Sequence, residues 1–458
     1  MKSIVQRVII ILGITPLFSL IAVKAQTQPN ITLKFDSSVV QGDSPYKFTR
    51  AIRMLIGAED NVTIQSSGLK NLQAWKNGEW ISYELKSEDP QQAPFDIEIY
   101  GKITSFEIAD ALITEMNVSN CPELKSLSYS TIPLNSINLS KNLLLEYLRC
   151  STTKEGVLSL SNNKKLQYLD CSDCKLESLE LKGLKELKFL DCSYNNLREL
   201  NLAENIKLQT LRCSNNPLSN LELSMLTELE GLTCSWTNLS SLDISRSKEL
   251  EGVIITNNPQ LTTLIVSSEV SKAEDLSQMD VSNNALRALD VTGLDKLFMI
   301  FCEGNKMDGE ATSRFISSLP DHSYPHPIHN NKVRIIDTKS NSEGNVCYED
   351  DVKVAWQKGW ECEDYNGGKP QRYEGSKPSA GVAIEASTLE VFPNPTKKEL
   401  QIRGAAPLAE ITLFTSRGVV VMRTQCGSDG STTLDLSQLP QGTYWVKVDQ
   451  TVVSVIKQ

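Results

Sequence analysis

Eleven cysteines and three histidines are the side chains of this 458-residue chain best suited to metal or redox chemistry. Cys150, Cys171, Cys192, Cys213 and Cys234 recur at a fixed step of 21 residues, and Cys302 follows later in the same local pattern. Cys171 and Cys174 form a C-x-x-C pair, a spacing used by redox dithiols and by half of a zinc site. His322, His326 and His329 crowd into one short stretch, a density that could hold a metal. Pro325 and Pro327 break any helix there, and no i, i+4 pair of histidines with a neighbouring Glu is present. The sequence contains no convincing Ser/His/Asp or Cys/His arrangement, no Gly-rich phosphate loop and no H-E-x-x-H. The expectation is a non-catalytic protein with neither metal nor cofactor.

The cysteine spacing belongs to a longer pattern. The run Leu145-Glu-Tyr-Leu-Arg-Cys150-Ser returns at Leu166, Leu187, Leu208 and Leu229, and degenerate copies start at Ile103, Leu124, Leu250, Leu276 and Leu297. An insertion near Ser268–Asp275 delays the copy at Leu276. The unit reads L-x-x-L-x-C-S-x-N-x-L-x-x-L-x-L and resembles the leucine-rich repeat, whose period is 20–29 residues. One unit cannot bury its own Leu face, but stacked units share a continuous core. At the parallel-strand spacing of about 4.8 Å, nine rungs and a closing half-turn make an array on the order of 45 Å long. The cysteines then form an inward ladder of small apolar side chains. Cys174 falls in register with Asn195, Asn216, Asn258, Asn284 and Asn305, a turn position where the side chain caps backbone groups, which argues for a structural role over a redox one. With Cys in the third Leu slot and a 21-residue period, residues 103–306 resemble the internalin-J-like repeats of Bacteroidota surface proteins.

The flanks read as caps and addresses. Lys2 and Arg7, an apolar run from Val8 to Val23 and small residues at Val23 and Ala25 are the marks of a secretory signal over 1–25, cut between Ala25 and Gln26. A retained anchor is the alternative; Pro16 and the short apolar core argue against it. No later stretch is long and apolar enough for a membrane helix, so the mature chain is expected to have none. Residues 26–102 alternate with period two at Ile31–Phe35, Asn61–Ile64 and Phe95–Tyr100, which predicts a β-rich N-terminal cap. Trp75 and Trp80 in it either fill the core of that cap or form a carbohydrate platform, and the cap is the favoured reading. Residues 307–375 predict a C-terminal α/β cap: a helix over Ala311–Leu319, a strand at Val333–Asp337, a helix over Asp350–Lys358 and a strand from Trp360. Cys347 and Cys362 in it are a possible pair that the sequence leaves open.

Residues 376–388 are small, polar and Pro/Gly-containing and read as a linker. From 389 to 458, short alternating strands separated by turns predict a small immunoglobulin-like β-sandwich. The opening Phe392-Pro393-Asn394-Pro395, the turn at Gly418 and the ending Leu439-Pro-x-Gly442-x-Tyr444-x-Val resemble the type A C-terminal sorting domain of the type IX (Por) secretion system. The resemblance implies passage across the outer membrane by that machinery, removal of the domain by its sortase-like peptidase, and a place on the cell surface or outside the cell. The fold class expected overall is α+β, mostly β: a leucine-rich-repeat solenoid between two caps, followed by the sandwich.

On a repeat strand, residues alternate between core and concave face. Tyr147, Tyr168 and Phe189 share one outward column, with Arg149, Asp170, Asp191 and Arg212 beside them as a mixed-charge strip. Tyr194 and Trp236 lie past the cysteines. Aromatic and Arg side chains are favoured binding anchors, so these nine residues are the candidate site for a protein or glycan ligand. Alternatively, the rings only stack on one another and stabilise the ladder. Lys and Arg total 46 against 56 Asp and Glu. This acidic balance argues against nucleic acid as partner. The functional expectation is a surface binding protein. A structural coat or biofilm component with no specific ligand is the alternative, and an enzyme is disfavoured.

Overall fold

The computed structural model describes residues 28–36, 51–70, 72, 76–86, 94–153, 156–266, 275–323, 331–377, 390–392, 394–403, 405, 409–415, 420–427, 431–448 and 451–458. The expected signal cut at Ala25 and Gln26 lies outside these residues, as do Trp75, His326, His329, Pro393, Gly418 and nearly all of the expected linker. The chain divides into two compact units, Met1–Ser376 and Lys377–Gln458.

In the first unit the repeat becomes a ladder of three-residue strands. Tyr147–Arg149, Tyr168–Asp170, Phe189–Asp191, Thr210–Arg212, Gly231–Thr233, Gly252–Ile254, Gln278–Asp280 and Met299–Phe301 pair in parallel, each with the next. The register is one-to-one, so each repeat position becomes a column running along the array. Both Leu columns are buried throughout Leu145–Leu232, and Cys150, Cys171, Cys192, Cys213 and Cys234 form a third fully buried column. Each buried Leu contributes about 2 kcal/mol of transfer free energy. Where the cysteine ladder is interrupted, Ile255 and Val281 take its place. The 26-residue step between Gly252 and Gln278 leaves the register of these two rungs intact.

The first rung of an open array would expose its apolar edge. Ile103–Ala109 is instead paired antiparallel with Ala51–Ala58, which pairs in turn with Trp80–Glu84. A second sheet, in the order Thr63–Ser66, Phe95–Tyr100, Ile31–Phe35 and Ile113–Asn117, completes the N-terminal end, and Phe35 stacks on Phe95 at 4.8 Å. Trp80 does not fill this core. The strand alternation turns Ile81 and Tyr83 inward and leaves Trp80 41% exposed.

Past residue 306 the parallel ladder continues. Lys332–Ile336 pairs in parallel with Met299–Phe301, and Glu361–Asp364 with Lys332–Ile336. Helices Gly309–Ser318 and Glu349–Gln357 make the connections between these rungs. The first is capped by Asp308, which accepts from Ala311 N at 2.8 Å. The segment expected as a cap is therefore built from two longer βα turns closed by the antiparallel pair at Gln371–Arg372. No helix among the described residues is long and apolar enough to cross a membrane.

The second unit is a two-sheet antiparallel sandwich. Glu390–Phe392, Glu399–Arg403 and Thr432–Asp435 form one sheet, and Val420–Gln425, Glu410–Thr415, Gly442–Val448 and Thr451–Lys457 the other. Its own core includes Leu400, Ile402, Ile411, Leu413, Leu434, Val446 and Val455.

Candidate functional site

The cysteines and His322, the described residues that could have done redox or metal chemistry, are committed to structure. All eleven cysteines are buried. Burial holds Cys171, Cys192 and Cys302 well above the ordinary thiol range, and contact with the Cys234 thiol together with burial does the same for Cys213. A thiol so placed is a poor nucleophile. Cys174 Sγ donates to Cys150 O at 2.8 Å and accepts from Thr153 Oγ1, so the second member of the C-x-x-C pair caps the turn. Cys347 and Cys362 are separate thiols, the latter pushed by burial up to about 12. His322 spends its Nε2 on Leu297 O at 2.7 Å. Among the described residues no group of three or more His, Cys, Asp or Glu could hold a metal ion.

The asparagine column does what its register predicted. Asn216 Nδ2 donates to Cys192 O at 2.9 Å and Cys213 O at 3.1 Å, while its Oδ1 accepts from Leu197 N at 3.0 Å. One side chain thus ties three backbone groups from adjacent turns, and Asn195 and Asn305 bond in the same way. Asn345 extends the column beyond the repeat, donating to Cys302 O and Ile335 O.

These columns fix the geometry of the open face. Side chains at one position on in-register strands stand one rung apart, so identical aromatics must stack. Tyr147 and Tyr168 do so at 4.3 Å and 13°, and Tyr168 and Phe189 at 4.3 Å and 2°. The rings are half-buried, and burial with the neighbouring Tyr147 pushes the Tyr168 phenol up to about 12. Arg212 closes the end of the stack, its guanidinium 5.5 Å from the Phe189 ring centre. The charged strip is paired between neighbouring rungs: Arg149 with Asp170 at 3.3 Å, Arg212 with Asp191 at 3.9 Å. Asp170 is buried and also accepts from Ser172 N and Oγ. Both arginines keep about half of their side-chain surface in solvent.

Beyond the rings the same column falls to Thr210, Gly231 and Gly252. The two glycines face each other in register, and a Cβ added at either would meet nothing closer than 4.0 Å. Sterics do not demand glycine here; the result is a bare stretch of sheet beside the aromatic wall. Ile254 stands exposed at its edge, whereas Phe301 further along is covered by Arg334 at 3.9 Å.

A fourth column, immediately past the strands, shares a backbone conformation that the 21-residue periodicity does not report. Thr131, Thr152, Asp173, Tyr194, Asn215, Trp236, Asn257 and Asn283 all have φ between 53° and 59°, and Gly304 has 71°. This left-handed region favours Gly, Asn and Asp. The cue was present: five of the nine residues are of those types. Tyr194 and Trp236 are the bulky exceptions, and both are largely exposed.

In the second unit Asn394 pins the opening motif to the last strand, accepting from Ile456 N at 2.9 Å and donating to Ser454 O at 2.7 Å. Pro395 follows it on the surface. Tyr444, in the strand that begins at Gly442, is buried and donates to Pro440 O at 2.9 Å.

Residues 390–458 match the family model of the secretion system C-terminal sorting domain. This unit is the address of type IX secretion, so the chain is exported, to the cell surface or beyond it. No curated protein sequence matches the chain. Among solved structures it is similar to the functional domain of InlJ from Listeria monocytogenes, described as including a cysteine ladder, with 19% identity over 75% of this chain and 74% of that one and a TM-score of 0.42. It is also similar to the internalin InlF from Listeria monocytogenes, with 16% identity over 57% of this chain and 79% of that one and a TM-score of 0.42. A leucine-rich-repeat protein from Leptospira interrogans matches with 17% identity over 52% of this chain and 72% of that one and a TM-score of 0.33.

Proposed function

We propose that this exported protein is a non-catalytic surface binding protein whose ligand, a protein or a glycan, lies on the open, concave face of the repeat sheet. The observation that carries this reading is the aromatic wall of Tyr147, Tyr168 and Phe189 standing beside the bare Gly231–Gly252 floor. Glycine weakens a strand, and in a strand interior it marks places where another molecule approaches the backbone closely. Aromatic and Arg side chains beside such a floor supply contact area and orientation. Arg149 and Arg212, paired with Asp170 and Asp191, keep about half of their side-chain surface free for a ligand.

The test is a binding screen of the purified full chain against extracellular proteins, glycans and bacterial surface components. Two variants accompany it. One changes Tyr147, Tyr168 and Phe189 to Ala; the other changes Gly231 and Gly252 to Val, which fills the floor while improving strand propensity. The expected result is a saturable ligand whose affinity falls at least about ten-fold in both, with the valine variant melting no lower than the parent. A ligand bound equally by both variants sits elsewhere. The absence of any saturable ligand favours a structural coat.

A further inference from the structure

Tyr194 and Trp236 occupy a position that the backbone makes expensive for them. Their φ values of 59° and 57° lie in the left-handed region, where a bulky side chain is strained. Neither recovers that strain through burial, since they are 62% and 60% exposed. Structural need does not account for them: Asn215, between them in the same column, meets the same conformation with a residue suited to it. A strained, exposed aromatic pair points to a contact made outside the chain.

The column also fixes their relation. The backbone hydrogen bonds that carry the ladder continue through it, Tyr194 N to Ser214 O at 2.9 Å, Asn215 N to Ser235 O at 2.8 Å and Trp236 N to Thr256 O at 3.1 Å. With matching φ and the same ladder hydrogen bonds, the two residues hold equivalent positions on the array, two rungs or about 10 Å apart. An extended peptide repeats the same face every two residues, about 7 Å, and does not fit this spacing. In an extended β-1,4-linked glycan, alternate sugars present the same face, and that two-sugar repeat matches two rungs. The apolar C–H face of a pyranose packs on an aromatic ring, while its hydroxyls need polar partners at the ring edges. Asp173, Asn215 and Asn257, from the same column, supply them.

We infer that Tyr194 and Trp236 form a stacking platform for an extended β-1,4-linked polysaccharide running along the array, with Asn215 between the two stacked sugars. This rests on the reading of the repeat array as a binding surface and narrows the ligand to one class.

The experiment is calorimetric titration of the full chain with β-1,4-linked glucose and N-acetylglucosamine oligosaccharides of two, three and six units, with α-1,4-linked hexasaccharide as control. The variants are Tyr194→Asn, Trp236→Asn and the separate Tyr147→Ala/Tyr168→Ala/Phe189→Ala set. One β-1,4 series is expected to bind, with a step in affinity between two units and three, the shortest length that reaches both rings. Each Asn change is expected to weaken the hexasaccharide at least about ten-fold while melting no lower than the parent, because Asn suits the left-handed position. A disaccharide that binds as tightly as the hexasaccharide, binding unchanged by either Asn substitution, or no binding in either β-1,4 series overturns the platform. If no glycan binds while a protein ligand does, and that ligand is lost in the alanine set, the platform fails and the open-face reading stands.

Discussion

Glu303 stands at the position that Ser151, Ser172, Ser193, Ser214, Ser235 and Ser282 hold in earlier rungs. Burial pushes its carboxyl up to about 7, and Arg334, 3.8 Å away, offsets this only in part. Its Oε2 is buried and has no hydrogen-bond partner among the described residues. The fold therefore prefers the neutral acid. The unfolded chain ionises Glu303 near pH 4.5, whereas the folded chain holds the proton until about pH 7. Stability from this group is full below pH 4.5 and is lost as pH rises through about 7, with no further change above. Over that window the loss amounts to about 3 kcal/mol. Glu303→Gln is expected to remove this slope and to be more stable than the parent at pH 8. Urea denaturation at pH 5 and pH 8 checks it, and a variant with the parent's pH slope refutes the assignment.

At the scale of the element, each turn is held by side chains acting on backbone. Asn216→Ala leaves Cys213 O and Leu197 N without their partner inside a buried turn and leaves Cys192 O with the Asn195 amide alone. The expected cost is about 2–4 kcal/mol, with hydrogen exchange quickening first in the rungs on either side. A loss below about 1 kcal/mol means that the ladder bonds alone hold the turn. This column was legible because Asn recurs at a fixed offset from the cysteine. The same periodicity exposed the buried Leu and Cys ladders and the aromatic column. It failed where the period itself fails. From Met299 to Lys332 and from Lys332 to Glu361 the connections contain helices, so two rungs of the same sheet read as an unrelated α/β segment, and Asn345 could not be aligned with Asn305. The ring stacking and the Arg–Asp pairing were within reach of the sequence, since register places residues 21 apart side by side. The left-handed column was not read, because periodicity reports which face a residue occupies and says nothing of its φ. Trp80 misled for another reason: a large ring predicts burial only when the strand alternation turns it inward.

At the scale of the whole molecule, the two units keep separate hydrophobic cores. One runs from Ile31 to Tyr373, the other from Leu400 to Val455. Units with independent cores unfold independently, so the full chain is expected to melt in two transitions, and a chain ending at Ser376 in one. The same division separates the address from the cargo. Among the described residues each unit has a core of its own, so removal of the sorting unit should leave the array folded but strand it before the outer membrane. Expression of the chain with and without residues 390–458 in a host that carries type IX secretion, followed by fractionation, tests this. The full chain should appear at the surface or in the medium, and the shortened chain should be folded and periplasmic. Surface delivery of the shortened chain means that the array carries an export signal of its own. A shortened chain that is unfolded in the periplasm means that the sandwich stabilises the array, against the separation of the two cores.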